Sequence, residues 1–344
     1  MKPDKQEKIA WNVIKTLLKR FETFPLDASN NRNAPFHEAF LNAFKDKFND
    51  KVSDIPFFIS LSSWLHGLNT TLGQTFFENV AHILSDGEKR EYTSKKLGNV
   101  QIGKNQKNNV AERMTELSNG TIPPNMDDEN KLVFIDHENN FVNSMDFSAD
   151  VFIEDEDTIT AIELKSVKPN SGEMRGEKQK ILEGKAALHK LFPNKKINFY
   201  MGFPFDPTSS KSTEYDKDRF LGSIINMIKF FDPNETLIAN ELWDFLSSER
   251  NTMESILQII NTISTTDFIK EFQFLNEANN RSNPDYIVKL EKWFLFSEVK
   301  LVNNDQKIQQ AVKNNKQLQR VYNQQIFHKD EYNERRMNTL SELI

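Results

Sequence analysis

Two apolar, β-branched runs, Phe147 to Ile153 and Ile159 to Val167, flank the acidic stretch Asp155 to Thr158, and this arrangement constrains the chain more than any other. Such runs around a short polar connection predict an antiparallel hairpin. Pairing Ile153 with Thr160 and Glu154 with Ile159 sets a register in which paired numbers total 313, and Asp150 with Glu163 obeys the same rule. Directly opposed residues have Cβ atoms roughly 4.5 to 5.5 Å apart, and positions two apart share a face, so Lys165 joins the two acids. Val151, Ile153, Ile162 and Leu164 fall on the opposite, apolar face, as expected of a sheet that buries one side.

Opposed like charges are destabilising unless something compensates, and a hard divalent cation with oxygen ligands would do so, Mg²⁺ being the natural candidate. An Asp/Glu pair with a nearby Lys suits metal-assisted hydrolysis of a phosphodiester. A solvated hairpin with scattered acids is the alternative. Local charge points the same way as the chemistry. Between Asp146 and Glu163 lie seven acids and no Lys or Arg, whereas Lys165 to Lys196 holds nine bases against three acids. A cation-seeking segment thus abuts an anion-seeking one in a chain of net charge −6. A second copy of the acidic spacing, Asp285 and Glu298, also exists. The segment between them lacks turn residues, and Ile287, Leu290, Phe294 and Leu301 recur at helical intervals, so a helix is expected to separate those acids.

Around the hairpin the pattern predicts an α/β chain. The first seventy residues read as helical, with Ile9, Val13, Leu17 and Phe21, then Phe40, Phe44 and Phe48, in register. A first core helix is expected from Leu72, with Gly87 as its stop, followed by a loop at 118–130 and a strand at Lys131 to Asp136. Beyond the hairpin come a helix from Glu173 to Leu191, whose Gly184 and Ala187 allow close approach to a sheet, and a strand from Lys196 to Phe203. The expected order is helix, three strands, helix, strand. It divides the chain into a helical N-terminal region (1–70), a catalytic core (71–207) and a mainly helical C-terminal region (208–344), in which Asp305 to His328 reads as an exposed helix.

Several chemistries are closed. The chain has no Cys, which excludes disulfides, thiolate zinc sites and cysteine nucleophiles and suits a cytoplasmic location. The six His residues show no metal-ligand spacing, and no phosphate-binding or dinucleotide fingerprint occurs. No apolar run approaches the length of a membrane span, and the N-terminus lacks the pattern of a signal peptide.

Asp150 followed by Glu163-Leu164-Lys165, in this order of elements, resembles the PD-(D/E)XK nuclease core. The longer texts SWLHGLNTTLGQTFFENVAHILS (from residue 63) and ITAIELKSVKPNSGEMRGEKQKILEGKAAL (from residue 159) resemble the TdeIII family of type II restriction endonucleases. The resemblance spans roughly residues 60 to 207. It implies that Asp150 and Glu163 bind Mg²⁺, that Lys165 positions or helps activate the attacking water, and that Glu78 on the first core helix reaches the metal site, although an ordinary solvated Glu fits that position too. Ala149 stands where many members have Pro, which touches only the entry to the strand. Arg175, Lys178, Gln179 and Lys180 are then candidates for DNA contact, with a solvated helix face as the alternative. The implied activity is site-specific cleavage of double-stranded DNA at a short palindrome, of the GGNCC type, by a homodimer working alongside a cognate methyltransferase. A repair or junction-resolving nuclease on the same fold and a non-cleaving DNA-binding protein are the competing readings.

Overall fold

The computed structural model describes residues 1–27, 35–41, 44, 54–135, 140–165 and 173–344. Phe48, Asp136, His137, Val167 and Lys168 lie outside the described residues. The described chain forms two compact units, one of Phe77–Ile256 and one of Lys2–Phe76 with Leu257–Ile344. The first therefore runs well past residue 207, and the second combines most of the N-terminal region with the part of the C-terminal region from Leu257 onward.

The first unit is built on a mixed five-stranded sheet in the order Glu88–Tyr92, Phe147–Glu154, Thr158–Leu164, Lys196–Phe203, Thr236–Ile238. The first two junctions are antiparallel and the last two parallel. The central hairpin has the expected register, with Val151 opposite Ile162, Ile153 opposite Thr160 and Glu154 opposite Ile159. The helix Glu173–Leu191 makes the crossover to the parallel strand Lys196–Phe203, as a parallel pair requires.

Gly184 is the closest point between that helix and the sheet. A Cβ there would lie 2.9 Å from the Phe199 ring and 3.2 Å from that of Phe147. Both rings are buried, so they have no free space to move into. Gly184→Ala is expected to destabilise the unit by about 1–3 kcal/mol through overpacking. A thermal melt equal to that of the parent would show that the rings can yield. On the other face Leu242, from the helix Asn240–Ser247, packs against Gly202 beside Ile162 and Leu164.

The hairpin, crossover helix and following strand come in the expected order, but the third strand does not directly precede them: Glu88–Tyr92 follows the first core helix, and the helices Lys104–Asn119 and Met126–Val133 lie between it and the hairpin. Lys131 to Asp136 is not a strand: Met126–Val133 is a helix. Asn125 caps it by accepting the Asp128 N–H, and Asp127, Asp128 and Glu129 in its first turn suit the positive end of the helix dipole. These local signals outweigh the β-branched character of the segment, and they also end the expected loop at residue 125. The third antiparallel strand is Glu88–Tyr92, EKREY, at the sheet edge, where charged side chains guard against pairing with other chains. The core helix before it, Phe77–Ser85, ends with Asp86 in the left-handed region (φ 55°) rather than with Gly87. Gly87 is needed for another reason, since a Cβ would meet the Phe152 carbonyl oxygen at 2.9 Å. The strand Thr236–Ile238, which extends the parallel edge, lies in the region expected to be mainly helical.

The second unit is almost wholly helical. Pro3–Glu22 buries Ile9 and Val13 as its spacing predicts, while Trp11 stacks on Tyr332 with ring centroids 3.9 Å apart. Buried Glu7 accepts both the N–H and the Oγ hydrogen of Ser297, fastening the N-terminal helix to the C-terminal region. Asp305 to His328 is not one helix but two, Asp305–Val312 and Lys316–Tyr322, separated by a short turn. No described helix is long and apolar enough to cross a membrane.

Candidate active site

Edge strand and central hairpin meet at a β-bulge. Glu88 lies opposite Phe152 and Arg90 opposite Ala149, so Asp150 and Val151 together face the single residue Lys89. A bulge bends the strand and re-aims a side chain, and here it falls on Asp150. The Asp150 carboxylate is fixed from two sides: its Oδ2 accepts the Leu164 N–H at 2.9 Å, and its Oδ1 lies 3.1 Å from Lys89 Nζ. His82 Nε2, on the helix Phe77–Ser85, donates to the Asp150 carbonyl oxygen at 2.7 Å and holds the strand against that helix.

Glu163 and Lys165 flank the end of the neighbouring strand. Lys165 Nζ reaches Glu163 Oε1 at 3.2 Å and Glu177 Oε1 at 3.0 Å. Lys180 Nζ reaches the same Glu163 oxygen at 3.1 Å and Glu177 Oε2 at 2.6 Å. Two carboxylates and two ammonium groups thus form a closed ring between the strand and the crossover helix. On the far side of Asp150, Glu78 accepts from Lys89 through both oxygens at 3.1 Å. Asp150 and Glu163 are nearly buried.

The electrostatics follow from this interleaving. Burial works against the charge of Lys165, but Glu163 and Glu177 more than offset it and hold the ammonium above its ordinary value. Glu177 is held below the usual carboxylate value: burial would raise it, and Lys180 and Lys165 outweigh burial. Glu78 is pushed up by burial in spite of Lys89, with Asp150 adding to the rise. Lys165 is therefore a fixed positive charge with N–H bonds to donate, suited to orienting water or phosphate rather than to taking up a proton.

The structure gathers Glu78, Asp150, Glu163, Lys165 and Lys180 in one place and leaves the other candidates elsewhere. Lys178 is a correction. It is fully buried and ion-paired with Glu129 and Glu235, so it has no surface from which to touch DNA. Gln179 donates to Glu183 at 2.9 Å, and Arg175 is exposed on the first turn of the helix. Lys89 and Glu177 were not found by the sequence motif. Lys89 sits on a strand whose composition hides it, while Glu177 was discoverable as the i, i+3 partner of Lys180. The competing pair is separated by helical structure, as expected: Asp285 is exposed at the start of Pro284–Lys292, and Glu298 is buried against Arg336.

Paired carboxylates beside ordered lysines at a sheet end are chemically suited to binding a cation and a phosphate, and the comparisons with known proteins give the class of the protein. The family model described as "Type II restriction endonuclease, HinfI" matches residues 1–264, and the chain belongs to that family. It is 41% identical to the type II restriction enzyme MjaII of Methanocaldococcus jannaschii over 361 residues, covering 98% of this chain and 96% of that protein. No solved structure matches. The protein is thus a site-specific deoxyribonuclease acting on double-stranded DNA, which favours restriction over the repair and non-cleaving readings. The matching family is that of HinfI, where the sequence text resembles TdeIII; both are type II restriction endonucleases.

Proposed function

We propose that the chain hydrolyses one phosphodiester in each strand of a short DNA palindrome through a site of the PD-(D/E)XK type, with Asp150 and Glu163 holding Mg²⁺. The donor set suits that ion. Both carboxylates offer hard oxygens, and Mg²⁺ is commonly bound through one or two carboxylates while keeping water and substrate phosphate as its other ligands. Among the described residues no group of three or more His, Cys, Asp or Glu is placed to hold a metal ion, so the proposal rests on the two carboxylates alone. When bound, the ion supplies Lewis-acid polarisation of the phosphate and lowers the pKa of a bound water.

The chain's own residues do the rest. Leu164 N–H and Lys89 fix the Asp150 carboxylate. Lys165 stays protonated at Nζ and donates to the attacking water or to the scissile phosphate, while Lys180 and Glu177 keep it in place. Glu78 orders Lys89 and lies within reach of the same ion-binding region. A palindrome cut in both strands calls for two such sites, hence a two-fold homodimer. The resemblance noted above favours a GGNCC-type sequence, a cytoplasmic location and a methyltransferase that protects the host's own sites.

The observation that carries this reading is the closed ring of Glu163, Lys165, Glu177 and Lys180 beside a bulge-aimed Asp150. The test is digestion of a sequenced plasmid in Mg²⁺, Ca²⁺ or chelator, followed by mapping of the ends. Discrete fragments with ends at one palindrome are expected in Mg²⁺. Binding with little cutting is expected in Ca²⁺, which takes looser and longer coordination. Full cleavage in chelator, after removal of tightly bound metal, would overturn the metal-dependent mechanism.

A further inference from the structure

From Asn303 to Gln325 the chain carries twelve Asn or Gln, four bases and a single acid among twenty-three residues. In a protein of net charge −6 this is an unusual local composition, and the second unit displays it on a built scaffold. The helices Asp305–Val312 and Lys316–Tyr322 are joined by the three residues Lys313 to Asn315. Ile308 and Val312 from the first helix enter a core with Leu301 and Leu340, and Leu318, Val321 and Tyr322 from the second pack against it. The one acid is used internally: Asp305 accepts from Tyr322 Oη at 2.7 Å and from Gln309 at 2.6 Å, clamping the helices together. Asn315 caps the second helix by accepting the N–H groups of Gln317 and Leu318.

What remains outward is cationic and amide-rich. Lys307, Lys313, Lys316 and Arg320 are exposed and have no carboxylate partner among the described residues. Five lysines of the first unit, Lys89, Lys107, Lys165, Lys180 and Lys195, are by contrast ion-paired. On the second helix Lys316, Gln317 and Arg320 are neighbours at three- and four-residue spacing, away from the inward Leu318 and Val321, and Lys313 stands exposed in the turn that precedes them. Two helices joined by a tight turn form a supersecondary unit well suited to a DNA groove. Arg, Lys, Gln and Asn are the side chains that contact phosphates and the donor and acceptor edges of purines.

We propose that this two-helix face is a DNA-binding surface of the enzyme, with Lys313, Lys316 and Arg320 on the phosphates of the duplex. The proposal rests on the chain's being a DNA endonuclease, and it assigns sequence-independent grip on the duplex backbone to residues outside the catalytic unit. Its test is the affinity of the full chain, in chelator so that no cutting occurs, for a 30-base-pair duplex carrying the mapped cleavage site and for a scrambled duplex, across a salt series. The triple variant Lys313→Ala, Lys316→Ala, Arg320→Ala is expected to bind both duplexes about tenfold or more weakly. The magnitude of its salt slope should fall by about two to three, because each lost phosphate contact removes close to one counterion-release contribution.

Since all three side chains are exposed, folding should be preserved. If the triple variant melts early, the charge-neutral pair Lys316→Gln, Arg320→Gln replaces it. An unchanged affinity and slope overturns the proposal, and so does a change in oligomeric state with DNA binding intact, which would mark the face as a contact with a second copy. Failure here is distinct from failure of the active site, since Glu163→Ala is expected to stop cleavage while leaving the salt slope in chelator as it was.

Discussion

Asp150→Ala, Glu163→Ala and Lys165→Ala are each expected to lower the cleavage rate by roughly three orders of magnitude or more, the scale at which several kcal/mol of charge stabilisation disappear. The fold should survive. Asp150 sits on a bulge whose flanking pairs are made by backbone groups, and Leu164 N–H loses only one acceptor. Removing Glu163 leaves Lys165 and Lys180 facing Glu177, so the ring retains one carboxylate and does not collapse. Lys165→Ala is the most telling of the three. Lys180 remains bound to both carboxylates, and the loss of activity then reports the position of the Lys165 ammonium rather than the mere presence of positive charge. Asp285→Ala, on an exposed helix start, serves as the control and should cut at the parental rate. Thermal melts within a few degrees of the parent, together with plasmid cleavage time courses, check all four. Essential Asp285 with dispensable Asp150 would defeat the assignment.

The hairpin was legible in the sequence because its information is local and periodic. Alternation with a period of two fixes which residues share a face, and a single shift of register would have exchanged Val151 and Ile162 with the residues of the opposite face. Gly184 was legible for a related reason, since a small residue in an apolar helical stripe marks close approach to a neighbour. Edge strand EKREY was not legible, because four of its five residues are charged and its strand character comes from pairing with Phe147–Phe152 rather than from propensity. Losing that strand also hid Lys89 and the bulge that aims Asp150. The helix Met126–Val133 carried a readable start signal in Asn125 and three following acids, but the apolar run behind it suggested a strand. The role of Lys178 was illegible for a deeper reason. A basic helix looks solvated until the partners that bury it, Glu129 and Glu235, are known, and these come from segments 49 and 57 residues away in sequence.

That buried group gives the second large effect. Lys178, Lys185, Glu129 and Glu235 are all essentially inaccessible to solvent. Glu235 binds Lys178 through one oxygen and Lys185 through the other, the latter at 3.1 Å. Lys178 also binds Glu129, and Lys185 also donates to Asn130 at 3.1 Å. Charges are matched two against two, so removing one partner strands another in a medium that solvates it poorly. Glu235→Gln is expected to cost about 3–5 kcal/mol, the range for breaking a buried ion pair, and Lys178→Ala a similar amount by leaving Glu129 unpaired. Acid should do the same to the parent. Burial would raise the Glu235 pKa, but Lys178 and Lys185 outweigh it and hold the carboxyl below its ordinary value of 4.5. Its contribution is therefore fully present above about pH 4.5 and is lost as pH falls through the lower folded value. Denaturant melts of the parent and of Glu235→Gln from pH 7 down to pH 3 check this. The variant should start several kcal/mol lower and lose less on acidification. A Lys178→Ala protein that melts like the parent but binds DNA with a reduced salt slope would instead return Lys178 to the DNA surface.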